Sequence, residues 1–574
     1  MNSTKQKMLE AFKKEESTID NIIPNLNIWK HSFQSILTFA LYQVEYLDAN
    51  PTADNPMDYL GRLADVYPII NEYSKQVPIM STEESMEKLQ GDPDLSEDIN
   101  TLYAYAHYCQ IMPQIHKKIF DVIQNGELNF SLIFKEEKFA DAEIKDKILS
   151  ATAQQLSLSF LDADKLKAYL KQKVERHQYQ MEESDFDWIR SLFLHHIRLS
   201  QRIEVLPDPA IEAHLGFSNK EYDQFKATLT AFSDFQIQLG KLWMAASLTD
   251  TAYSRAYQDM YLRNSVCCED YYIFDLMCLI SNLSMTTFDK ILSYYISIHQ
   301  QPEHRQYESN SACKDGYFPP FVLTKTKVIF SPHALRYMHP FQNILYSVKE
   351  KNQRLFDDNI SKYLEPTLIN QTERLFNKFS SELKVKKNIH YAEGEIDLMV
   401  LSEIEKTCLV FQIKATVAPS SNRTITNVEK RTLEAAEQIE RYEKMGEEKK
   451  LQHINQAFGT RLDTIKTINI ILVRHCAGSV KAWNGNHQIL NYSIMTGLLG
   501  KKLQNSDMTI SNMKNDINGY MEELVVIAES RVKVQHFQIG ELTIDFPDII
   551  HNDLDVIARN LKYCAYMGDY KTAL

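Results

Sequence analysis

The sequence predicts a multidomain protein: a large all-helical N-terminal region, then an α/β domain with a mixed sheet flanked by helices. Three observations carry that expectation. Over residues 1 to about 300, apolar residues recur at helical spacing and alternating runs are nearly absent. Beyond residue 317, short β-rich runs alternate with helical stripes. At 574 residues the chain is long enough for two to four cores.

In the N-terminal region, helical stripes run over 26–47, 187–199 and 222–243. Turn-rich breaks fall at 80–98 and 300–316, and the second sets the boundary of a helical domain, 1–300. His195 and His196 lie on an apolar helix, and His333 and His339 lie beside prolines. Each reads as a packed or solvated histidine before it reads as a ligand. There is no fixed-period repeat and no phosphate-cradling glycine loop.

The second domain, 317–500, opens with a hairpin over 317–323 and 327–332 that leads into a helix at 340–351. A helical stripe follows over 364–379 and carries two glutamates, Glu365 beside Pro366 and Glu373 two turns later. Eight residues of helix turn them about 80° apart, so one of the two faces a given point squarely; Pro366 marks a helix start and places Glu365 in the first turn.

Next come two strand-length apolar runs, 398–401 and 408–413, joined by a polar turn. Alternation places Leu409, Phe411 and Ile413 on one face and Val410, Gln412 and Lys414 on the other. If the runs pair as a hairpin, Asp397 at the start of the first lies near the end of the second. A carboxylate, an amide oxygen and an ammonium then converge at one end of a sheet. Hard cations such as Mg²⁺ or Mn²⁺ take oxygen ligands and keep several waters, so Asp397, Gln412 and one helix glutamate suffice as a metal set. Lys414 is suited to orienting a water or offsetting charge on a phosphoryl oxygen.

A helix at 434–445 places Gln438 and Tyr442 four residues apart on one face. A β-rich run at 467–473 completes a helix–strands–helix–strand order. The extension 501–574 reads as a helix over 515–529, a hairpin over 534–546 turning at Gly540, and a last helix over 554–567, all expected to pack on the second domain.

The run Gly394-Glu395-Ile396-Asp397 with Gln412-Ile413-Lys414 resembles the PD-(D/E)XK nuclease superfamily, in its Mrr-like variant with glutamine in the last motif. The resemblance covers about residues 355–480. It implies a restriction-endonuclease-like fold and a metal-dependent nuclease, with Asp397, Gln412, Lys414 and Glu365 or Glu373 as site residues, Glu365 being favoured because a first-turn glutamate matches the family layout. Gln438 and Tyr442 resemble the Gln-x-x-x-Tyr element of RecB-type members, which lies near substrate. By the same resemblance DNA is favoured over RNA, a role in genome or anti-phage defence is suggested, and modules of this kind often work as dimers. The helical region would then act as a sensor or assembly platform and bind any partner protein.

Charge is consistent with a nucleic-acid partner only locally. Residues 351–500 hold 21 Lys and Arg against 18 Asp and Glu, while the rest of the chain carries −16 of a net −13. Lys384, Lys386 and Lys387 are candidate phosphate contacts on a strand edge. The eight cysteines show no Cys-x-x-Cys pair and no zinc spacing, as expected of reduced cytoplasmic thiols, and no stretch is long and apolar enough for a membrane span. The rival expectation is a non-catalytic helical scaffold with a degenerate nuclease-like domain, because glutamine at 412 removes one charge from the metal set.

Overall fold

In the computed structural model, the described residues are 3–49, 92–116, 119–153, 163–178, 181–199, 204–250, 267–296, 320–323, 327–337, 352–419 and 422–550, with isolated positions at 63–74, 252–261 and 344–349. Helices α1 (Ser3–Ile22), α2 (Phe33–Ala49) and α3 (Pro93–His116) precede a hairpin of β1 (Phe120–Gln124) and β2 (Asn129–Phe134). Then come α4 (Glu137–Ala153), α5 (Ala163–Glu175), α6 (Glu183–Leu199), α7 (Asp208–His214) and α8 (Asn219–Thr249). They are followed by β3 (Cys267–Asp270), α9 (Tyr272–Ser281), α10 (Met285–Leu292), β4 (Phe321–Leu323), β5 (Lys327–Phe330) and α11 (Pro332–Tyr337). The second half continues with α12 (Ser361–Phe379), β6 (Lys384–Tyr391), β7 (Gly394–Ser402), β8 (Thr407–Lys414), α13 (Asn422–Glu443) and α14 (Glu447–Phe458). It closes with β9 (Lys466–Val473), β10 (Gln488–Asn491), α15 (Tyr492–Gln504), α16 (Met513–Ile527), β11 (Arg531–Ile539) and β12 (Leu542–Ile550). The helix expected at 554–567 lies outside the described residues, as do His339 and most of the 340–351 segment.

The first half is predominantly helical, as its periodicity predicts, and α8 is its axis. Ser218 and Glu221 cap that helix reciprocally, the Ser218 hydroxyl taking the Glu221 N–H and the Glu221 carboxylate the Ser218 N–H. Its apolar stripe, Phe225, Phe232, Phe235, Leu239 and Trp243, is buried in a core shared with Ile189, Leu192, Ile211 and Phe288. Three of the candidate histidines are buried in this half: His195 and His196 lie on α6, and His196 meets Asp234 at 2.9 Å and is held neutral, burial lowering its pKa to about 3. His333 is buried against Glu45.

Two features depart from the all-helical expectation. The hairpin β1–β2 stands inside the N-terminal half, and β12 pairs in parallel with β2, giving a sheet of order β1-β2-β12-β11. The hairpin predicted around Gly540 therefore forms, but its neighbour is the early hairpin. In addition, β3 pairs with β5 across the expected boundary, giving the order β3-β5-β4. Both sheets take their stability from partners far along the chain, which local periodicity does not register.

The third sheet has the order β10-β9-β8-β7-β6. Strands β6, β7 and β8 form an antiparallel meander, and β8, β9 and β10 run parallel. The crossover from β8 to β9 passes through α13 and α14, as parallel pairing requires. One face packs Leu398, Val400, Leu409, Phe411 and Ile413 against Leu368 and Phe376 of α12. The other packs Met399, Leu401, Cys408 and Val410 against Tyr442, Ile454 and Phe458. Helix α16 joins the first of these cores through Met513, Ile517 and Tyr520, and so does α4 through Ile148 and Leu149. Among the described residues, no helix is long and apolar enough to cross a membrane.

Candidate active site

The β7–β8 ladder runs from Ser402↔Thr407 only as far as Leu398↔Phe411. Before that point β7 pairs with β6 alone, and beyond it β8 pairs with β9 alone, Lys414 lying opposite Val473. The strands part into a V at Asp397 and Gln412, and these two side chains stitch its throat. The Asp397 carboxylate accepts the Ile413 N–H at 2.6 Å. Gln412 Nε2 donates to the Glu395 carbonyl, also at 2.6 Å. The local backbone is irregular here as well: the β6–β7 ladder skips the Asn388–Asp397 step, and Asn388 has φ of +54°.

The predicted residues Asp397, Gln412, Lys414 and Glu365 come together at this V. Lys414 Nζ lies 3.5 Å from Glu365 Oε2. Asp397 is buried, and burial raises its carboxyl to about 6; Lys414 and the Ile413 N–H pull it down, while Glu365 and Glu395 push it up. The Gln412 amide is fixed by its bond to the Glu395 carbonyl, which leaves Oε1 buried with no hydrogen-bond partner among the described residues. An acceptor oxygen desolvated without a donor is costly unless a donor or cation meets it. Asp397, Gln412 and Glu365 carry oxygens at this V, the ligand type that a hard cation takes. Among the described residues no group of three His, Cys, Asp or Glu side chains is placed to hold a metal, so the set depends on the amide.

The other glutamate, Glu373, is elsewhere. It pairs with Lys387 at 2.6 Å, and Lys387 also donates to Asn370 at 2.7 Å, a surface network between α12 and the edge strand β6. Lys384 pairs with Glu403, and Lys386 is exposed on the same edge. Tyr442, expected near substrate, is fully buried between Tyr391 and His453, its hydroxyl 3.3 Å from His453 Nδ1. It is a core residue, because the helix face it shares with Gln438 is the face packed on the sheet. Gln438, one turn nearer the start of α13, is half-buried, and its Oε1 has no partner among the described residues.

Glu365 is not in a first helical turn. Residues Gln353–Leu355 are helical, a π-helical turn follows over Phe356–Ile360, and Pro366 lies inside α12. Two contributors carried too weak a sequence signal. Glu395 belongs to the motif run, but its carbonyl role depends on the V. Arg474, which follows β9, donates its N–H to the Lys414 carbonyl at 3.1 Å, and only the parallel pairing brings it there. No family model matches this chain, and neither do any curated protein or any solved structure.

Proposed function

We propose that the sheet β6–β10 with its helices is a metal-dependent nuclease module of the PD-(D/E)XK type, hydrolysing phosphodiester bonds. DNA is the favoured substrate over RNA, and genome or anti-phage defence is the favoured setting, by analogy with restriction-type enzymes. The observation that carries this reading is the presence, at the point where β7 and β8 part, of a buried carboxylate, Asp397, and of a buried Gln412 oxygen that has no hydrogen-bond partner among the described residues. The order helix α12, strands β6–β8, helix α13, strand β9 supports it, being the order expected from the resemblance.

Asp397, Gln412 and Glu365 would hold Mg²⁺ or Mn²⁺, which when bound supplies Lewis-acid stabilisation of a phosphoryl oxygen. Asp397 must be ionised for that: burial raises its carboxyl to about 6 against the pull of Lys414 and the Ile413 N–H, which leaves it charged at neutral pH. Lys414, once released from Glu365, has three donors to orient a water or meet charge on the phosphate. The Glu395 carbonyl orients the Gln412 amide so that oxygen, not nitrogen, faces away from it. In this reading the helical half is a platform for a partner protein or a second copy. The buried free thiols Cys278, Cys408 and Cys476 accord with a cytoplasmic setting.

One observation favours a second reading, a non-catalytic scaffold: the site offers two carboxylates and an amide where three acidic or imidazole ligands would bind more tightly. Supercoiled plasmid incubated with purified protein separates the two. Nicking that appears with Mg²⁺ or Mn²⁺ and stops with chelator supports the nuclease; intact plasmid under both metals supports the scaffold.

A further inference from the structure

Helix α12 belongs to two cores, and Glu365 stands where they meet. Phe356, Ile360 and Leu364 pack with Leu206, Ile211 and Leu215 of the helical half. Leu368, Ile369 and Phe376 pack on the sheet with Leu398 and Phe411. The join is also the weakest part of the helix. A π-helical turn ends at Ile360, and Pro366 has no N–H for the Lys362 carbonyl. Burial on its own sides therefore does not fix the glutamate.

Arg474 closes this gap. Its side chain is buried and, among the described residues, meets no carboxylate; burial lowers its pKa to about 10, so it is charged at neutral pH. Nη2 donates to the carbonyl of Leu364, the residue preceding Glu365, at 3.0 Å. Nη1 donates to the carbonyl of Glu204 in the helical half, also at 3.0 Å. Its backbone N–H holds the Lys414 carbonyl at 3.1 Å. Glu204 is tied to α12 a second time, through its carboxylate to Arg374 at 2.8 Å. The adjoining Val205 and Leu206 are buried in the helical core.

We propose that Arg474 is a positioning residue that couples docking of the helical half, through Glu204, to the placement of Glu365 against Lys414. The proposal rests on the nuclease reading for its consequence, since it makes the helical half a determinant of turnover. A rigid planar fork is suited to this, because its donors are fixed in one plane and aimed at both carbonyls, where an ammonium is a compact charge on a flexible stem.

The test uses the full chain with Arg474→Met, which keeps buried volume without donors, and Arg474→Lys, which keeps charge without the fork. Plasmid nicking in Mn²⁺ and amide hydrogen exchange are measured on the same preparations. Arg474→Met should lower kcat about tenfold or more with KM for DNA unchanged, since misplacing a catalytic group costs rate before affinity. Exchange should quicken at 361–368 while the α8 core keeps its protection. Arg474→Lys should recover part of both losses. Unchanged exchange at 361–368 in Arg474→Met overturns the proposal, as does a uniform loss of protection across the chain, which marks a purely structural arginine. A wild-type protein that cuts nothing removes the nuclease reading alone, and the exchange pattern then decides the coupling by itself.

Discussion

Asp397, one residue outside the last β7–β8 pair, accepts at 2.6 Å the backbone N–H of Ile413, the residue before Lys414. A side chain thus takes the place of a ladder bond where the two strands part. It brings a buried negative charge under the influence of the Lys414 ammonium. The expectations below depend on that relationship.

Asp397 should cost stability when no cation is bound. Its folded-state carboxyl is raised from 3.8 to about 6, so the folded protein binds this proton more readily than the unfolded chain does. The cost is absent below about 3.8, grows as pH rises, and is complete above about 6. At about 1.4 kcal/mol for each tenfold change in proton affinity, the full cost is roughly 3 kcal/mol. Denaturant unfolding in chelator should therefore show Asp397→Asn gaining on wild type between pH 4 and pH 7, by at most that amount. A variant less stable than wild type at pH 7 would contradict the burial argument.

Metal affinity should have an acid limb set by the same group. A cation needs the ionised carboxylate, so the Mn²⁺ concentration for half-saturation should rise as pH falls through about 6. Calorimetric titration across pH 5 to 8 checks this, and affinity that stays flat over the range contradicts it.

The two helix glutamates should behave oppositely. Glu365→Gln should weaken Mn²⁺ binding about tenfold or more, the loss of one charged ligand. Glu373→Gln should leave it unchanged, because Glu373 is engaged with Lys387 on the surface. Equal effects from both would remove the assignment of Glu365 to the site.

How much of this the sequence discloses depends on the range of the interaction. The 398–401 and 408–413 runs, their alternation, and the meeting of Asp397 with Lys414 follow from period-two patterning within some twenty residues. Helical phase separates Glu365 from Glu373 but does not choose between them, and the first-turn place that favours Glu365 is not the place it takes. Tyr442 misleads for a physical reason: phase shows that it shares a face with Gln438, but not whether that face meets a groove or a core. Strand β1 has only Phe120 and Val122 directed inward, and β2 finds its outer partner in β12, more than 400 residues later. Arg474 comes beside Lys414 through a crossover, which no local pattern encodes.

Tyr442 should accordingly act on stability. Tyr442→Ala empties a fully buried aromatic site and should cost about 3–5 kcal/mol. Tyr442→Phe loses only the contact with His453 and should cost about 1 kcal/mol. Thermal or urea unfolding reads both, and in Tyr442→Phe the gel-shift affinity for DNA should match wild type. A large affinity loss in that variant would restore a substrate role.

The central claim is that Asp397 and Lys414 serve chemistry and not attachment. The most direct measurement is cleavage rate and gel-shift affinity on the same preparations of wild type, Asp397→Asn and Lys414→Ala. Both variants should lose cleavage by about two orders of magnitude or more, about 2.7 kcal/mol of transition-state stabilisation, while binding DNA as wild type does. Wild-type turnover in Asp397→Asn would contradict the account.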